Sequence, residues 1–308
     1  MYRMKTQKLD NVYRAAYDFA MPGEEKIFAY SKWDIIPVLA ALLQGVYLAS
    51  LFFFFPHLNW WARIILGFVY AVSISWNING ISHNFLHNPF FHSPILNRLF
   101  SICESLVVGF SQVFYECVHK RHHQSNSDRP DANGETIDWL SIYRYGKKGG
   151  AESPWTYTFL SYFRDDIAVT YKVLKGKNLK EAYWGVFEIC LVLILYGIGF
   201  ILNWKFMLYF LVFYYLGQSL SSLNGYYKHY GGNPDSPLAW GVSSYGKLYN
   251  WLWFNNGYHA EHHYRPRAHW TKMKELHEQI KEAMIKAGTK IIRPPHALGF
   301  LDSNLPCR

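Results

Sequence analysis

Eight histidines stand in three short clusters whose spacing suits metal binding. The clusters are His83-Asn-Phe-Leu-His87, His119-Lys-Arg-His-His123 and His259-Ala-Glu-His-His263. On a helix, residues three and four apart share one face, so the imidazoles of each cluster can converge on one point. Neutral imidazole is the commonest side-chain metal ligand. Because each cluster stands beside an apolar segment, the sequence predicts metal ligands rather than a polar surface: His83, His87, His119, His122, His123, His259, His262 and His263.

The number and type of these ligands indicate which metals could bind. One ion takes about four to six ligands, so eight imidazoles predict two ions, each with a position open for dioxygen or water. Ligation by histidine with little carboxylate argues against magnesium and calcium, and favours iron, zinc or copper. Iron with open positions supports dioxygen activation and attack on unactivated C–H bonds, which side chains alone cannot perform.

Other polar residues leave alternatives open. His92 could replace His83 if the true pair is His87 and His92, and His229 is a lone histidine at the end of an apolar run. An acidic group after the second cluster is expected to be a solvated loop; the alternative is that Asp128 and Asp131 orient ligand imidazoles. This acidic group comprises Asp128, Asp131, Glu135 and Asp138, and the histidines expected at the surface are His57, His269, His277 and His296.

The composition places these clusters in a membrane protein. Half of the 308 residues are hydrophobic and 19% are aromatic, yet the mean hydropathy is close to zero, so very apolar segments alternate with charged ones. Lys and Arg flank the apolar segments, so the net charge of +9 favours an anionic membrane surface over nucleic acid. The four cysteines have no paired spacing, which is typical of a reducing compartment.

Four apolar runs predict membrane-spanning helices at about 35–55, 64–82, 182–202 and 205–223. Charges interrupt the run 94–118, so we expect it to be interfacial or packed against the bundle. Two hairpins then place both termini and every histidine cluster on one side, with only Arg63 and Lys205 in the opposite loops, as the positive-inside rule predicts. The predicted fold is a single all-α integral-membrane domain over 1–308, whose four spans in two hairpins carry a helical cytosolic part: 1–33 (partly interfacial), 83–181 and 224–308.

The three clusters together resemble the HxxxH, HxxHH and HxxHH boxes of the membrane-bound fatty acid desaturase superfamily. The resemblance runs from about residue 35 to 275 and implies a non-haem di-iron centre that uses dioxygen. The family's additional histidine after the last span matches His229, and the segment Asn224-Gly-Tyr-Tyr-Lys-His-Tyr-Gly is similar to a motif of membrane alkane hydroxylases. Asn224 stands five residues before His229, where the related asparagine stands four before. The resemblance therefore adds His229 to the predicted iron ligands.

The resemblance also implies a reaction class and partners. It favours desaturation of a fatty acyl chain, with hydroxylation, ketolation or oxidative decarboxylation to a terminal alkene as alternatives for the same architecture. Electrons would come from a separate ferredoxin-, rubredoxin- or cytochrome b5-type donor, because the chain has no HPGG motif and no CxxC pair. The expected location is the cell inner membrane or the endoplasmic reticulum, with the clusters facing the cytosol. A histidine-rich metal transporter or sensor is disfavoured because the spans offer few polar residues for an ion path, and a zinc hydrolase is equally disfavoured.

Overall fold

The computed structural model describes residues 27–233 and 235–305. In this part of the chain the first long helix, α1 (Ile35–Phe54), is uncharged and apolar, and Pro56 ends it in a short 3-10 turn. The second helix, α2 (Trp60–Asn77), begins at an Asn59 cap whose side chain accepts from the Ala62 N–H. It continues through a π-helical turn, Ile78–Ser82, into α3 (His83–His87). The first histidine cluster therefore directly continues a membrane-length helix.

The apolar run 94–118 forms two helices rather than one span. Helix α4 (Pro94–Val108) ends at Gly109, whose φ of 78° is left-handed. Helix α5 (Gln112–Ser125) carries the histidines of the segment His119–His123. Glu188 joins these two helices to a later one. It is fully buried and accepts from the Ser101 hydroxyl (2.6 Å), the Ser111 hydroxyl (2.6 Å) and the Val113 N–H (3.1 Å). The charge that is awkward in an apolar run is thus an acceptor for buried donors.

A polar stretch leads to the longest helix. It contains α6 (Pro154–Leu160) and α7 (Ile167–Lys177), and then α8 (Leu179–His229) begins. Helix α8 consists of two helical segments that meet at Asn203, where φ is −152° and ψ is 74°. Gly199 and Met207 lie face to face across this bend, because a Cβ at Gly199 would stand 2.6 Å from the Met207 sulfur. The bend lies between the two runs that were predicted as a hairpin.

The C-terminal part covers the ends of the long helices. It comprises α9 (Lys247–Leu252), α10 (His259–Tyr264) and α11 (Met273–Ala287), with a parallel pair of two-residue strands, β1 (Val242–Ser243) and β2 (Lys290–Ile291). Asp34, at the start of α1, accepts from Trp270 Nε1 (2.8 Å) and pairs with His269 Nε2 (3.0 Å). These buried hydrogen-bonding contacts tie this part to the first long helix, which corrects the expectation of a surface role for His269.

Close helix packing forms the core beneath the histidines. Helix α2 lies against the second segment of α8 so closely that a Cβ at Gly217 would stand 2.8 Å from both the Ala71 carbonyl oxygen and Ile74 Cβ. Tyr70, Ile74 and Phe210 fill this contact. Elsewhere the long helices expose large apolar side chains, up to 84% at Ile201, which is expected for surfaces in contact with lipid.

Three helical segments are long and apolar enough to cross a membrane: Lys32–His57, Trp60–His87 and Leu179–His229. The predicted mostly helical membrane architecture is therefore confirmed at this coarse level. The α4 and α5 helices are not among the candidate spans found in the described residues, in agreement with the expectation for 94–118. Residues 1–26 of the predicted interfacial lead-in lie outside the described residues.

Candidate metal centre

The first group of converging histidines joins three helices. His83 and His87 come from α3, His119 from α5 and His262 from α10, and one ring nitrogen of each lies within 4.8 Å of the others. The closest pairs are His83 Nε2 with His262 Nε2 at 2.9 Å, and His119 Nε2 with His87 Nε2 at 2.8 Å. All but His87 are fully buried. These four histidines could hold one metal ion and form the first candidate metal cluster, or first cluster.

The second group lies beside it. His122 comes from α5, His229 from the end of α8, and His259 and His263 from α10, again with ring nitrogens within 4.8 Å. His259 Nε2 stands 3.0 Å from His229 Nε2. All four side chains are buried. These four histidines could hold a second ion and form the second candidate metal cluster, or second cluster, which includes His229, the histidine that only the family resemblance had indicated.

His123 lies between the two clusters. Its Nε2 is 3.1 Å from His119 Nε2 and 3.1 Å from His262 Nε2, both in the first cluster. Its ring stacks on His263 of the second cluster, with centroids 4.3 Å apart. The structure thus brings all nine predicted histidines into one double site. His92 is exposed and its backbone pairs with Ile27, so the alternative in which His92 replaces His83 is wrong for this structure.

The geometry of the imidazoles fits metal ions. With a metal–nitrogen distance of about 2.1 Å, two ligands at a right angle lie roughly 3.0 Å apart, which matches the nitrogen separations of 2.8–3.1 Å. His263 gives a further indication, because its Nδ1 is held by Asn126 Oδ1 while its buried Nε2 has no partner within the described residues. Such an orphaned nitrogen is a ready ligand.

Burial keeps these imidazoles in the form that binds metal. Burial first, and then the surrounding imidazoles and Lys228, hold the pKa of His119, His259 and His262 well below the usual range. At neutral pH these rings are therefore uncharged and offer a lone pair to a cation. Lys228 is itself buried, which lowers its pKa to about 7, and its Nζ donates to Asn79 Oδ1 at 3.0 Å. Asn79 lies in the π-helical turn before His83.

Polar residues around the clusters orient the rings. Asp138 is fully buried and its Oδ2 pairs with His122 Nδ1 at 2.7 Å, while it also accepts from the Ser127 and Leu140 N–H groups. Asp128, one of the two acids predicted for this role, instead accepts from the backbone N–H groups of Ile137 and Asp138. The other, Asp131, caps an exposed turn. The expected solvated loop is confirmed for Asp131 and Glu135, which are exposed, whereas Asp138 is buried and contacts a histidine ring, as the alternative for this acidic group had it. Asp128 and Asp131, the two acids named for that role, contact backbone groups instead.

A second polar network fixes α10. Glu261, buried between His259 and His262 on α10, accepts from the Ser243 hydroxyl (2.7 Å) and the Tyr245 hydroxyl (2.8 Å), and pairs with His277 Nδ1 (2.6 Å). His296 is also buried and pairs with the Tyr249 hydroxyl and the Val242 carbonyl. The expected surface roles of His277 and His296 are therefore wrong, whereas His57 is exposed as expected. No sequence spacing signals these contacts.

Comparisons with known proteins agree with this geometry. The family model for fatty acid desaturases matches residues 58–295, which contain all nine histidines. The chain is 22% identical to a sphingolipid delta(4)-desaturase-like protein of Arabidopsis thaliana, over 80% of this chain and 71% of that protein. It is 24% identical to a similar protein of Oryza sativa subsp. japonica, over 72% of this chain and 66% of that one.

A third relative is a sphingolipid delta(4)-desaturase of Candida albicans, which is 25% identical over 70% of this chain and 61% of its own length. No solved structure matches the chain significantly. Family and relatives together indicate an oxidoreductase of lipid metabolism that carries out desaturation-type oxidation at a membrane. The match over most of its length, together with the three histidine boxes, shows that this chain belongs to the fatty acid desaturase family.

Proposed function

We propose that the protein is an integral-membrane di-iron enzyme that uses dioxygen to oxidise a long acyl or alkyl chain, and that the reaction is desaturation of a fatty acyl substrate. The observation that carries the proposal is the double histidine site at the ends of membrane-length helices. Each of two ions would have four imidazoles, with His123 within reach of both clusters. The proposed ligands are His83, His87, His119, His122, His123, His229, His259, His262 and His263.

The chemistry of the donor set supports iron. Neutral imidazoles suit iron, zinc and copper, and the family uses iron. Iron at this site would supply dioxygen activation and attack on unactivated C–H bonds. The protein's own contribution is to hold the rings neutral and converging: Asp138 fixes the ring of His122, Asn126 fixes His263, and Glu261 fixes the short helix that carries three ligands.

The proposed topology has four spans at about 35–55, 64–82, 182–202 and 205–223. The bend at Asn203 supports two spans within α8, because an unbroken helix of 51 residues would extend far beyond the roughly 30 Å of a hydrocarbon core. Segments 1–33, 83–181 and 224–308 would then lie together in the cytosol as parts of one domain. Only Arg63 and Lys205 would lie in the opposite loops, which supports this orientation in the inner membrane or the endoplasmic reticulum.

A membrane location determines how the substrate and electrons reach the site. The substrate would enter from the lipid, and the electrons from a separate ferredoxin-, rubredoxin- or cytochrome b5-type protein. His87 is the least buried member of the first cluster, and the charges of Lys120 and Arg267 act on it. Lys120 is paired with Glu116, but Arg267 is exposed, and an exposed cation beside this partly exposed histidine supports an acidic electron donor.

A sphingolipid substrate is a second candidate, because three relatives are named sphingolipid delta(4)-desaturases. Hydroxylation, ketolation and decarboxylation remain alternative outcomes at the same site. A single experiment separates them. Purified, iron-loaded protein is given reductant, an electron-donor protein, dioxygen and a panel of fatty acids, acyl thioesters and sphingoid lipids, and the products are analysed by mass spectrometry.

We expect the loss of two hydrogens from one acyl substrate. The matched control pair is His262→Ala, which removes a ligand of the first cluster, and His92→Ala, which removes an exposed histidine. Product should vanish in the first variant and persist in the second. A gain of one oxygen would indicate a hydroxylase, and loss of carbon dioxide a decarboxylase. Zinc as the only bound metal, with no oxidised product, would refute the oxidase.

A further inference from the structure

A cavity of about 570 Å³ lies beside the helices that carry the first cluster. Its lining comes from α3, α4, α5 and the junction of α7 with α8, and none of the nine proposed metal ligands belongs to it. Much of the lining is apolar: Phe85, Leu86, Pro89, Pro94, Val113 and Leu174. The volume is typical of a site for a small organic ligand. The cavity is therefore separate from the proposed oxidation site.

The charges of the lining do not cancel. Three cations and two carboxylates contribute to it: Arg98, Lys120, Lys177, Glu116 and Glu181. Arg98 is paired with Glu181, and Lys120 is paired with Glu116. Lys177, at the end of α7, is exposed and has no ion pair within residues 27–233 and 235–305. The lining therefore offers one positive charge that no carboxylate of this part of the chain neutralises.

Lys177 acts on the interior of the cavity although it is exposed. Cys117 lines the cavity from α5, whereas Lys177 lines it from the end of α7. Burial raises the pKa of the Cys117 thiol, and among the charges that lower this pKa the ammonium of Lys177 has the largest effect, ahead of Arg121. Because electrostatic interactions weaken with distance, this ammonium stands close to the wall that Cys117 forms.

The cavity lies next to a surface suited to lipid. Helix α4 contributes Arg98 to the lining and exposes Ile95 (71%) and Leu99 (57%) beside it. Leu179 is also exposed, just before the start of the proposed span 182–202. The guanidinium of Arg98 lies over the Trp184 ring, 5.4 Å from its centre, and tryptophan is typical of the membrane interface. In the proposed topology, the free cation therefore stands where lipid phosphates lie.

We propose that this cavity binds the head group of an anionic phospholipid, whose phosphate pairs with Lys177 and whose first methylenes contact the apolar lining. A single net negative charge matches the single free cation, whereas a zwitterionic lipid brings no net charge. Basic pockets at the cytosolic ends of membrane helices are suited to such head groups. A soluble phosphate ester would leave Val113 and Leu174 uncovered, so the lining favours a lipid. The inference rests on the proposed topology and is independent of the oxidation chemistry.

A lipid bound here would contact both short segments that present ligands to the first cluster. Leu86 immediately precedes His87 on α3, and Cys117 stands two residues before His119 on α5. A ligand that binds only the folded state stabilises it in proportion to the logarithm of its occupancy ratio. We therefore expect phosphatidylglycerol to raise the melting temperature of the full chain relative to phosphatidylcholine.

Cys117 provides a direct test, because its thiol reports whether the cavity is occupied. The full chain, without an electron donor, is placed in nanodiscs of phosphatidylcholine that contain increasing fractions of phosphatidylglycerol. Alkylation of each cysteine by N-ethylmaleimide is followed by peptide mass spectrometry. Phosphatidylglycerol should slow the alkylation of Cys117 but not that of Cys190, which is exposed on α8 and does not line the cavity. No slowing at Cys117, or equal slowing of both thiols, would overturn the proposal.

Two lysines at the end of α7 supply a matched pair of variants. Both Lys175 and Lys177 are exposed, but only Lys177 lines the cavity. In Lys177→Gln, half-maximal protection of Cys117 should require about fivefold more phosphatidylglycerol, the factor that one basic residue near an anionic lipid provides. Lys175→Gln removes the same charge from the same helix and should behave as the wild type. The rise in melting temperature should likewise shrink only in Lys177→Gln. If the two variants respond alike, the proposed role of Lys177 is wrong.

Two smaller anions separate the possible sources of the negative charge. Glycerol 1-phosphate carries the phosphate without a chain, and dodecanoate carries a chain with a carboxylate. We expect glycerol 1-phosphate to give no protection at the same concentration, because it cannot cover the apolar lining; full protection by it would overturn the assignment to a lipid. Protection of Cys117 by dodecanoate but not by phosphatidylglycerol would assign the cavity to a fatty acid and overturn the phospholipid. Because no electrons are supplied, protection is observable even if the protein oxidises no acyl chain, and its absence would leave the proposed oxidase function intact.

Discussion

Replacing Asp138 by Asn should weaken metal binding at the second cluster without removing a ligand. Asp138 Oδ2 lies 2.7 Å from His122 Nδ1 and 2.9 Å from the Ser127 nitrogen, and Oδ1 lies 2.7 Å from the Leu140 nitrogen. The carboxylate thus fixes the ring so that its Nε2 faces the cluster. Residues that orient a ligand imidazole in this way typically contribute 10–100-fold to metal affinity, or about 1.4–2.7 kcal/mol.

The geometry also predicts a cost in folding stability. An asparagine oxygen can take the place of Oδ2, which keeps the contacts to His122 and Ser127, but its amide nitrogen then opposes the Leu140 N–H. A buried donor left without an acceptor costs about 1–3 kcal/mol. The reverse orientation sets the amide nitrogen against both His122 and Ser127, which costs more. We therefore expect Asp138→Asn to lower the melting temperature as well as the metal affinity.

A matched control separates these two effects. Asp128 lies in the same loop and accepts from the Ile137 and Asp138 N–H groups, but no hydrogen bond joins it to an imidazole. Asp128→Asn should therefore reduce stability to a similar degree while metal affinity stays close to that of the wild type. The measurement is metal content per chain during competition with a graded series of chelators, beside thermal unfolding. Equal retention of metal by Asp138→Asn and the wild type would refute the orienting role of Asp138.

Three further predictions follow from buried contacts. His83→Ala should lose about half of the bound metal whereas His92→Ala should keep all of it, as measured by elemental analysis; equal loss would contradict the assignment of the first cluster. Glu188→Leu should lower the melting temperature, because the buried Ser101 hydroxyl and two further donors lose their acceptor at about 1–3 kcal/mol each; an unchanged melting temperature would contradict this. Burial lowers the pKa of His296 to about 3, whereas in the unfolded chain it is about 6.5. As the pH falls below 6.5, the unfolded state therefore takes up a proton before the folded state does. The free energy of unfolding decreases as a result, by about 2 kcal/mol at pH 5. His296→Asn should reduce the dependence of unfolding free energy on pH by about one proton in this range, and an unchanged slope would exclude His296 as a contributor.

The local part of the metal centre could be predicted because histidine spacing and helix geometry determine it. His119, His122 and His123 share a helix, so three or four residues of separation place their rings together. The convergence of the histidines from different helices was predicted from a proposed topology in which every histidine cluster lies on one side of the membrane, and the structure brings these histidines together. His229 was different, since a lone histidine carries no spacing signal and only the family resemblance indicated it.

The membrane helices were also predictable in outline, since length and hydropathy determine which segments can cross a bilayer. The π-helical turn Ile78–Ser82 was not predicted, because no composition signal marks the one extra residue that changes the direction of later side chains. This turn sets the orientation of His83 relative to α2 and places Asn79 where it accepts from Lys228. A buried lysine at the end of an apolar run carries no periodic signal either.

The sequence did not single out the residues that orient the histidine rings, although Asp138 belongs to the acidic group for which this role was the alternative, because each acts across the chain rather than along one helix. Asp138 meets His122 through a loop that folds back over α5, and Asn126 meets His263 from a left-handed residue at the end of that same helix. Both contacts belong to the second cluster, where His122 and His263 are thus fixed at their Nδ1 atoms. The loop after α5 therefore determines how rigidly the second cluster is held. Substitutions in this loop should accordingly alter metal retention at the second cluster before they alter the first.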